Sequence, residues 1–172
     1  MNKALVVFSG FNPRAVIAFL RTLELNNVEY GVIAKSEDDE IFLTNYSNKV
    51  LAIRSTQLLE IDDISASIKK LKEQLPASEY IIATSTEALN RFMLDNNRVF
   101  KELGCVLPLV DTHLYETISD KLTFGELCKS NAILVPSEFK EVGSMKPPFV
   151  AKPKTYFSNS NQVHTPVLIF NQ

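Results

Sequence analysis

The chain has 172 residues, 45% of them hydrophobic, with 18 basic against 20 acidic side chains and a formal net charge of −2. At roughly 100–200 residues per domain this is one ordinary domain, or one and part of a second, and it can bury roughly 70% of its unfolded surface without a disulfide staple. The near-neutral balance excludes a basic nucleic-acid surface and an acidic disordered tail.

Ala4 to Phe8 is an apolar run without polar alternation, as expected of a strand buried on both faces of a parallel sheet. Ser9-Gly10-Phe11-Asn12 breaks it, and Pro13 suits the first turn of a helix whose Val16, Ile17, Leu20 and Leu23 repeat at helical spacing up to Asn26-Asn27. Tyr30 to Ala34 is the next strand, so the opening reads as a right-handed β-α-β unit. After the acidic turn Ser36 to Glu40, two short apolar runs flank a polar turn at 45–48, and the second, Val50 to Ile53, is read as a strand.

Ile64, Ile68, Leu71 and Leu75 form the apolar face of a helix stopped at Pro76. Tyr80 to Ala83 is a strand, and Thr84 and Glu87 have capping-box spacing ahead of a helix through Leu89, Phe92 and Met93. Helical turns from Asn97 to Leu103 end at Gly104, a left-handed cap. Beyond about Val110 the texture changes to a helix over Asp120 to Asn131, short strands at Ile133 to Val135 and Phe149 to Lys152, a Pro/Gly turn over Gly143 to Pro148, a polar interval over Thr155 to Thr165, and the apolar run Val167 to Phe170. The fold class is therefore α/β, with a Rossmann-like open parallel sheet carrying helices on both faces, followed by an incomplete α+β subdomain.

Cys105 and Cys128 lack C-x-x-C spacing and read as buried reduced thiols. His113 and His164 are the only histidines and do not stand at helical ligand spacing, so no metal site is expected. The apolar run near the N-terminus is too short for a signal-peptide core, and nothing approaches the roughly 18 apolar residues of a membrane span. A soluble cytoplasmic protein without membrane or nucleic-acid partners is expected.

Ligands of parallel sheets sit beyond the carboxyl ends of strands, where strand order reverses. Two loops meet that description, Ser9-Gly10-Phe11-Asn12 and Thr84-Ser85-Thr86-Glu87, and each leads into a helix N-terminus that favours an anion. They are the candidate substrate-binding residues; the structural alternative is that Gly10 allows a tight turn and Thr84 caps a helix. The glycines form neither G-x-G-x-x-G nor a P-loop, which disfavours a classical dinucleotide-binding domain. No G-x-S-x-G elbow or serine–histidine motif supports a hydrolase, and no catalytic residue is assigned.

The stretch from Ile118 to Pro136, with Ser119-Asp120-Lys121 at a helix start and Val135-Pro136 at its end, leads through a short spacer to Pro148-Phe149-Val150-Ala151-Lys152-Pro153. It resembles the entry into an ATP-grasp domain, and the preceding α/β region resembles the pre-ATP-grasp domain of carbamoyl-phosphate-synthase-like carboxylate ligases. The resemblance implies a pre-ATP-grasp domain over 1–115 and the beginning of an ATP-grasp domain over 116–172. It also implies ATP binding by Lys121, on the α-phosphate side, and by Lys152, at the phosphates and adenine edge, since ammonium groups offset phosphate charge. A lysine in a first helical turn is equally explained as a solvated side chain; a lysine closing the apolar run Phe149 to Ala151 asks for a reason.

Such a ligase activates a carboxylate as an acyl-phosphate with ATP and magnesium, and an amine or other nucleophile then displaces phosphate. The partners implied are the nucleotide and a small-molecule carboxylate. This chain departs from the family pattern in having no glycine over 155–165, where a flexible flap usually closes over the phosphates. The family's magnesium ligands would lie beyond residue 172, so the chain itself is expected to be inactive, the N-terminal part of a longer enzyme. The alternative is a stand-alone small-molecule-binding or protein-interaction module. Strands 149–152 and 167–170 are expected to present open edges, giving mobility or pairing with a second copy as a homodimer.

Overall fold

The first strand, β1 (Lys3–Phe8), is buried because its two faces meet two different cores, Val7 on one side and Ala4, Val6 and Phe8 on the other. This computed structural model describes residues 2–136, 145–151 and 167–170. The chain divides into two compact units, Met1–Tyr115 and Glu116–Gln172.

In the first unit, β1 is followed by helix α1 (Pro13–Leu25), strand β2 (Tyr30–Ala34), 3-10 turns at Glu40–Leu43 and Ser47–Lys49, and strand β3 (Val50–Ile53). Helix α2 (Ile61–Gln74), strand β4 (Glu79–Ala83), helices α3 (Glu87–Asp95) and α4 (Asn97–Glu102) and the short strand β5 (Cys105–Val106) complete it. The sheet order is β3-β2-β1-β4-β5 and every pair is parallel. This is the Rossmann-like open α/β sheet that the alternating pattern predicts.

Helix α1 begins where Asn12 caps it and Pro13 stands at its first position, costing no hydrogen bond there. Its buried Val16, Leu20 and Leu23 seal one face of the sheet against Tyr30 and Val32. The other face is covered by α2, α3 and α4, which bring Ile64, Ile68, Met93 and Phe100 onto Val6, Phe8 and Ile82. Each fully buried aliphatic side chain contributes about 1.5–3 kcal/mol of transfer free energy. The two clusters therefore hold the sheet from both sides.

Two expectations need correction. The cap of α3 is Thr86, two residues later than the predicted Thr84, because the Thr86 side chain accepts from the Leu89 N–H at 3.3 Å whereas the Thr84 hydroxyl turns to Asn90. Ile133 to Val135 is not a strand: Ile133 N donates to Cys128 O at 2.9 Å, closing the end of the preceding helix. The run at 41–43 forms a 3-10 turn, capped by the Asp39 carboxylate. Two elements went unread in the sequence, β5 and a helix α5 (Thr112–Ser119).

In the second unit, helix α6 (Lys121–Ser130) is capped by Asp120, and strands β6 (Phe149–Ala151) and β7 (Val167–Ile169) pair antiparallel with Val150 opposite Leu168. Val150, Val167 and Leu168 are each about half exposed. Lys152, residues 143 and 144 of the predicted turn at 143–148, and the interval 155–165 lie outside the described residues. No helix among the described residues is long and apolar enough to cross a membrane. Both cysteines are free and buried.

Candidate functional site

Strand order reverses between β1 and β4: the chain leaves β1 toward β2 on one side, while β4 returns to pair on the other. Loops leaving two such strands in opposite directions open a crevice at their carboxyl ends. The register Val7 to Ala83 sets Ser9 and Ser85, each two residues further on, at the start of those two loops. The sheet thus brings the predicted segments 9–12 and 84–87 to one edge.

Most of these eight side chains already have structural partners. The buried Ser9 hydroxyl donates to Asp39 Oδ2 at 2.7 Å. Gly10 has φ +81°, and a Cβ there would stand 2.3 Å from Lys35 Cβ and 2.8 Å from Asp39 Oδ2, so backbone passes where no side chain fits. Phe11 lies beneath two cations, with Lys35 Nζ 5.5 Å and Arg54 Cζ 5.7 Å from its ring centroid. Asn12 Oδ1 accepts from Ala15 N at 3.3 Å as the α1 cap.

In the second loop, Thr84 donates to Asn90 Oδ1, and Asn90 Nδ2 donates to the Tyr115 hydroxyl at 2.9 Å. Thr86 caps α3, and Glu87 pairs with Arg91 at 2.8 Å along the helix. Ser85 differs from its neighbours, since its Oγ is buried without a hydrogen-bond partner among the described residues. A buried hydroxyl of this kind ordinarily finds a partner.

Two cavities adjoin the carboxyl edge. One of about 390 Å³ is walled by Ser9, Gly10 and Asp39 and by the apolar Val16, Ile17 and Ile41. The other, of about 510 Å³, lies beyond β2 and β3 and includes Lys35 and Arg54 in its wall. Asp39, Arg54 and Asp63 organise this edge, and none of the three is among the residues expected from the sequence. Asp39 sits in a run of acidic residues that reads as a solvated turn. Arg54, like Lys152, is a cation closing an apolar run, a signal that could have been applied to both.

The Arg54 side chain is fully buried, with Nε 3.2 Å from Asp63 Oδ2 and Nη2 donating to Leu58 O. Burial pushes the Asp63 carboxyl up, but hydrogen bonds from Ser55 N and Oγ, both 2.7 Å, together with the Arg54 charge outweigh it and hold the group below the ordinary carboxylate range.

In the second unit, Asp120 Oδ1 accepts from Leu122 N and Thr123 N, each at 3.0 Å. The Thr123 N–H is the chief cause of a carboxyl held below its ordinary range, opposed by desolvation and aided by the Leu122 N–H and the Thr123 hydroxyl. Lys121 is exposed in the first turn of α6. The partner in the predicted lysine pair, Lys152, follows Ala151 of β6 in sequence and lies outside the described residues. Among the described residues no group of three or more His, Cys, Asp or Glu is placed to hold a metal ion. No protein-family model and no curated protein sequence matches the chain.

Proposed function

We propose that this chain works in an ATP-dependent carboxylate ligase of the ATP-grasp type, its α/β unit contributing to the acceptor-substrate site and residues 116–172 contributing one wall of the nucleotide site. The observation that supports this reading is the order of elements after the parallel sheet. An Asp-capped helix begins at Lys121, and an antiparallel strand pair follows whose first member ends at Ala151, one residue before Lys152-Pro153. Two lysines, Lys121 at the start of α6 and Lys152 next in sequence after β6, are of a kind suited to polyphosphate, because each ammonium is a compact charge on a long stem. ATP and magnesium are the cofactors the reading requires.

The test is ATP binding by the protein encoded in its full reading frame, followed with a fluorescent ATP analogue, in wild type and in Lys152→Ala. Loss of a phosphate-directed ammonium should weaken binding by about tenfold or more with an unchanged melting temperature. Unchanged affinity would remove Lys152 from the site. A reading frame encoding a Glu-x-Asn-type pair beyond residue 172 supports the ligase.

A second reading, a cytoplasmic small-molecule-binding module without catalysis, is favoured by one observation: both cavities at the carboxyl edge are walled by residues of the first unit alone. ATP binding that is absent in the full protein, alongside metabolite binding by residues 1–115, would select it.

A further inference from the structure

The larger cavity, about 510 Å³, is walled by three cations, Lys35 from the end of β2, Arg54 from the end of β3 and Lys70 from α2, against one carboxylate, Glu37. Arg54 is spoken for on two of its three nitrogens, Nε by Asp63 and Nη2 by the Leu58 carbonyl, while Nη1 is buried with no acceptor among the described residues. A guanidinium donor removed from water without an acceptor is unfavourable, and folded proteins rarely leave one so. Lys35 and Lys70 form no ion pair within 4.0 Å among the described residues. Around them stand further donors: the Ser36 hydroxyl, and Thr56, whose Oγ1 accepts from Leu58 N at 3.2 Å and whose own proton is left to give.

We propose that this cavity is a binding site for the phosphate dianion of a small phosphomonoester, with Lys35 and Lys70 as the accessible charges and Arg54 Nη1 as the buried donor that an anionic oxygen satisfies. A phosphate suits the site better than a carboxylate, because two lysines without ion pairs, the Arg54 Nη1 donor and two hydroxyls exceed what two carboxylate oxygens with one charge can use, the Arg54 charge itself being balanced by Asp63. The volume leaves room for a sugar-sized body beside the phosphate. Phe11, under Lys35 and Arg54, couples the site to the loop after β1. The inference does not depend on the nucleotide reading, since every residue involved precedes residue 71.

The experiment is titration of the 172-residue chain with inorganic phosphate, ribose 5-phosphate and acetate at constant ionic strength, read by backbone amide shifts at Ser36, Ser55 and Thr56. The expected result is saturable shifts with phosphate that weaken by about tenfold or more in a Lys35→Ala/Lys70→Ala double variant. Both positions are solvent-reachable lysines without ion pairs, so the variant should keep its fold. A Lys69→Ala/Lys101→Ala control, which removes two exposed lysines elsewhere, should bind within about twofold of wild type. Saturation by ribose 5-phosphate at lower concentration than phosphate identifies an organic phosphomonoester, equal affinities identify the free anion, and both support the site. Absence of saturable shifts, equal weakening in the two double variants, or acetate binding as tightly as phosphate would overturn the proposal.

Discussion

The Ser9 hydroxyl donates to the Asp39 carboxylate at 2.7 Å across 30 residues of sequence, tying the loop after β1 to the loop after β2. The same carboxylate accepts from Lys35 N at 2.9 Å and Ile41 N at 3.0 Å, so one buried side chain satisfies three donors from three segments. Asp39→Ala strands two backbone N–H groups and is expected to cost about 2–4 kcal/mol in urea unfolding, against about 1 kcal/mol for Ser9→Ala. A smaller loss in Asp39→Ala than in Ser9→Ala would contradict this ranking.

Gly10 brings its backbone close against Lys35 and Asp39. Gly10→Ala combines a left-handed φ of +81° with a methyl group 2.3 Å from Lys35 Cβ, which cannot swing aside as a side-chain tip could. A loss of about 1–3 kcal/mol is expected, together with amide shift changes at Lys35 and Asp39. A neutral substitution would show that the loop has room to relax.

The Arg54–Asp63 pair should behave as a buried ion pair whose halves depend on each other. Asp63→Ala leaves the Arg54 charge uncompensated and is expected to cost about 3–5 kcal/mol at neutral pH. Because the folded-state Asp63 carboxyl lies below its ordinary range, its contribution is fully present above the unfolded-state value of about 3.9 and fades as pH falls through the lower folded-state value. Urea midpoints of wild type and Asp63→Asn should therefore converge on acidification below about pH 4, and a constant gap from pH 7 to 2 would argue against the linkage.

Thr84 and Thr86 have separable roles. Thr86→Ala should cost about 1 kcal/mol and speed hydrogen exchange at the Leu89 amide, since it removes the α3 cap. Thr84→Ala should leave that amide protected and instead loosen the Asn90–Tyr115 contact. Exchange at Leu89 that responds to Thr84 and not to Thr86 would reverse the assignment.

At Asp120 the cap depends on charge and geometry together. The carboxyl's lowered range means that α6 capping is complete above the ordinary aspartate value and is lost as pH falls through the folded-state one. Asp120→Ala should increase amide exchange at Leu122 and Thr123 at neutral pH, while Asp120→Asn, a good neutral cap, should restore protection and remove its pH dependence.

The strands and helices with uninterrupted local signals were readable in advance. The boundaries of β2 and β3 follow from the apolar runs Tyr30 to Ala34 and Val50 to Ile53, and Pro13 marks the start of α1 by its fitness for a first helical turn, while the Asn12 and Asp120 caps emerge only in the structure. The strand β5, two residues long, exists because β4 offers it a free edge, with Tyr80 opposite Cys105, and no local pattern of that length announces a strand. Ile133 to Val135 failed in the opposite direction: it has a strand's composition and no pairing partner among the described residues.

Composition, apolar periodicity and caps by themselves determined an open parallel α/β sheet and the two loops at its carboxyl edge, because those signals act between neighbours a few residues apart. Which side chains those loops retain for chemistry was decided only by tertiary structure. Ser9 meets Asp39, Phe11 meets Lys35 and Arg54, and Arg54 meets Asp63 through separations of 9 to 43 residues that only strand order brings together. The polar groups of the hydroxyl-rich loops are mostly satisfied by the fold, whereas Arg54, a buried cation at the end of β3, has one donor without an acceptor among the described residues.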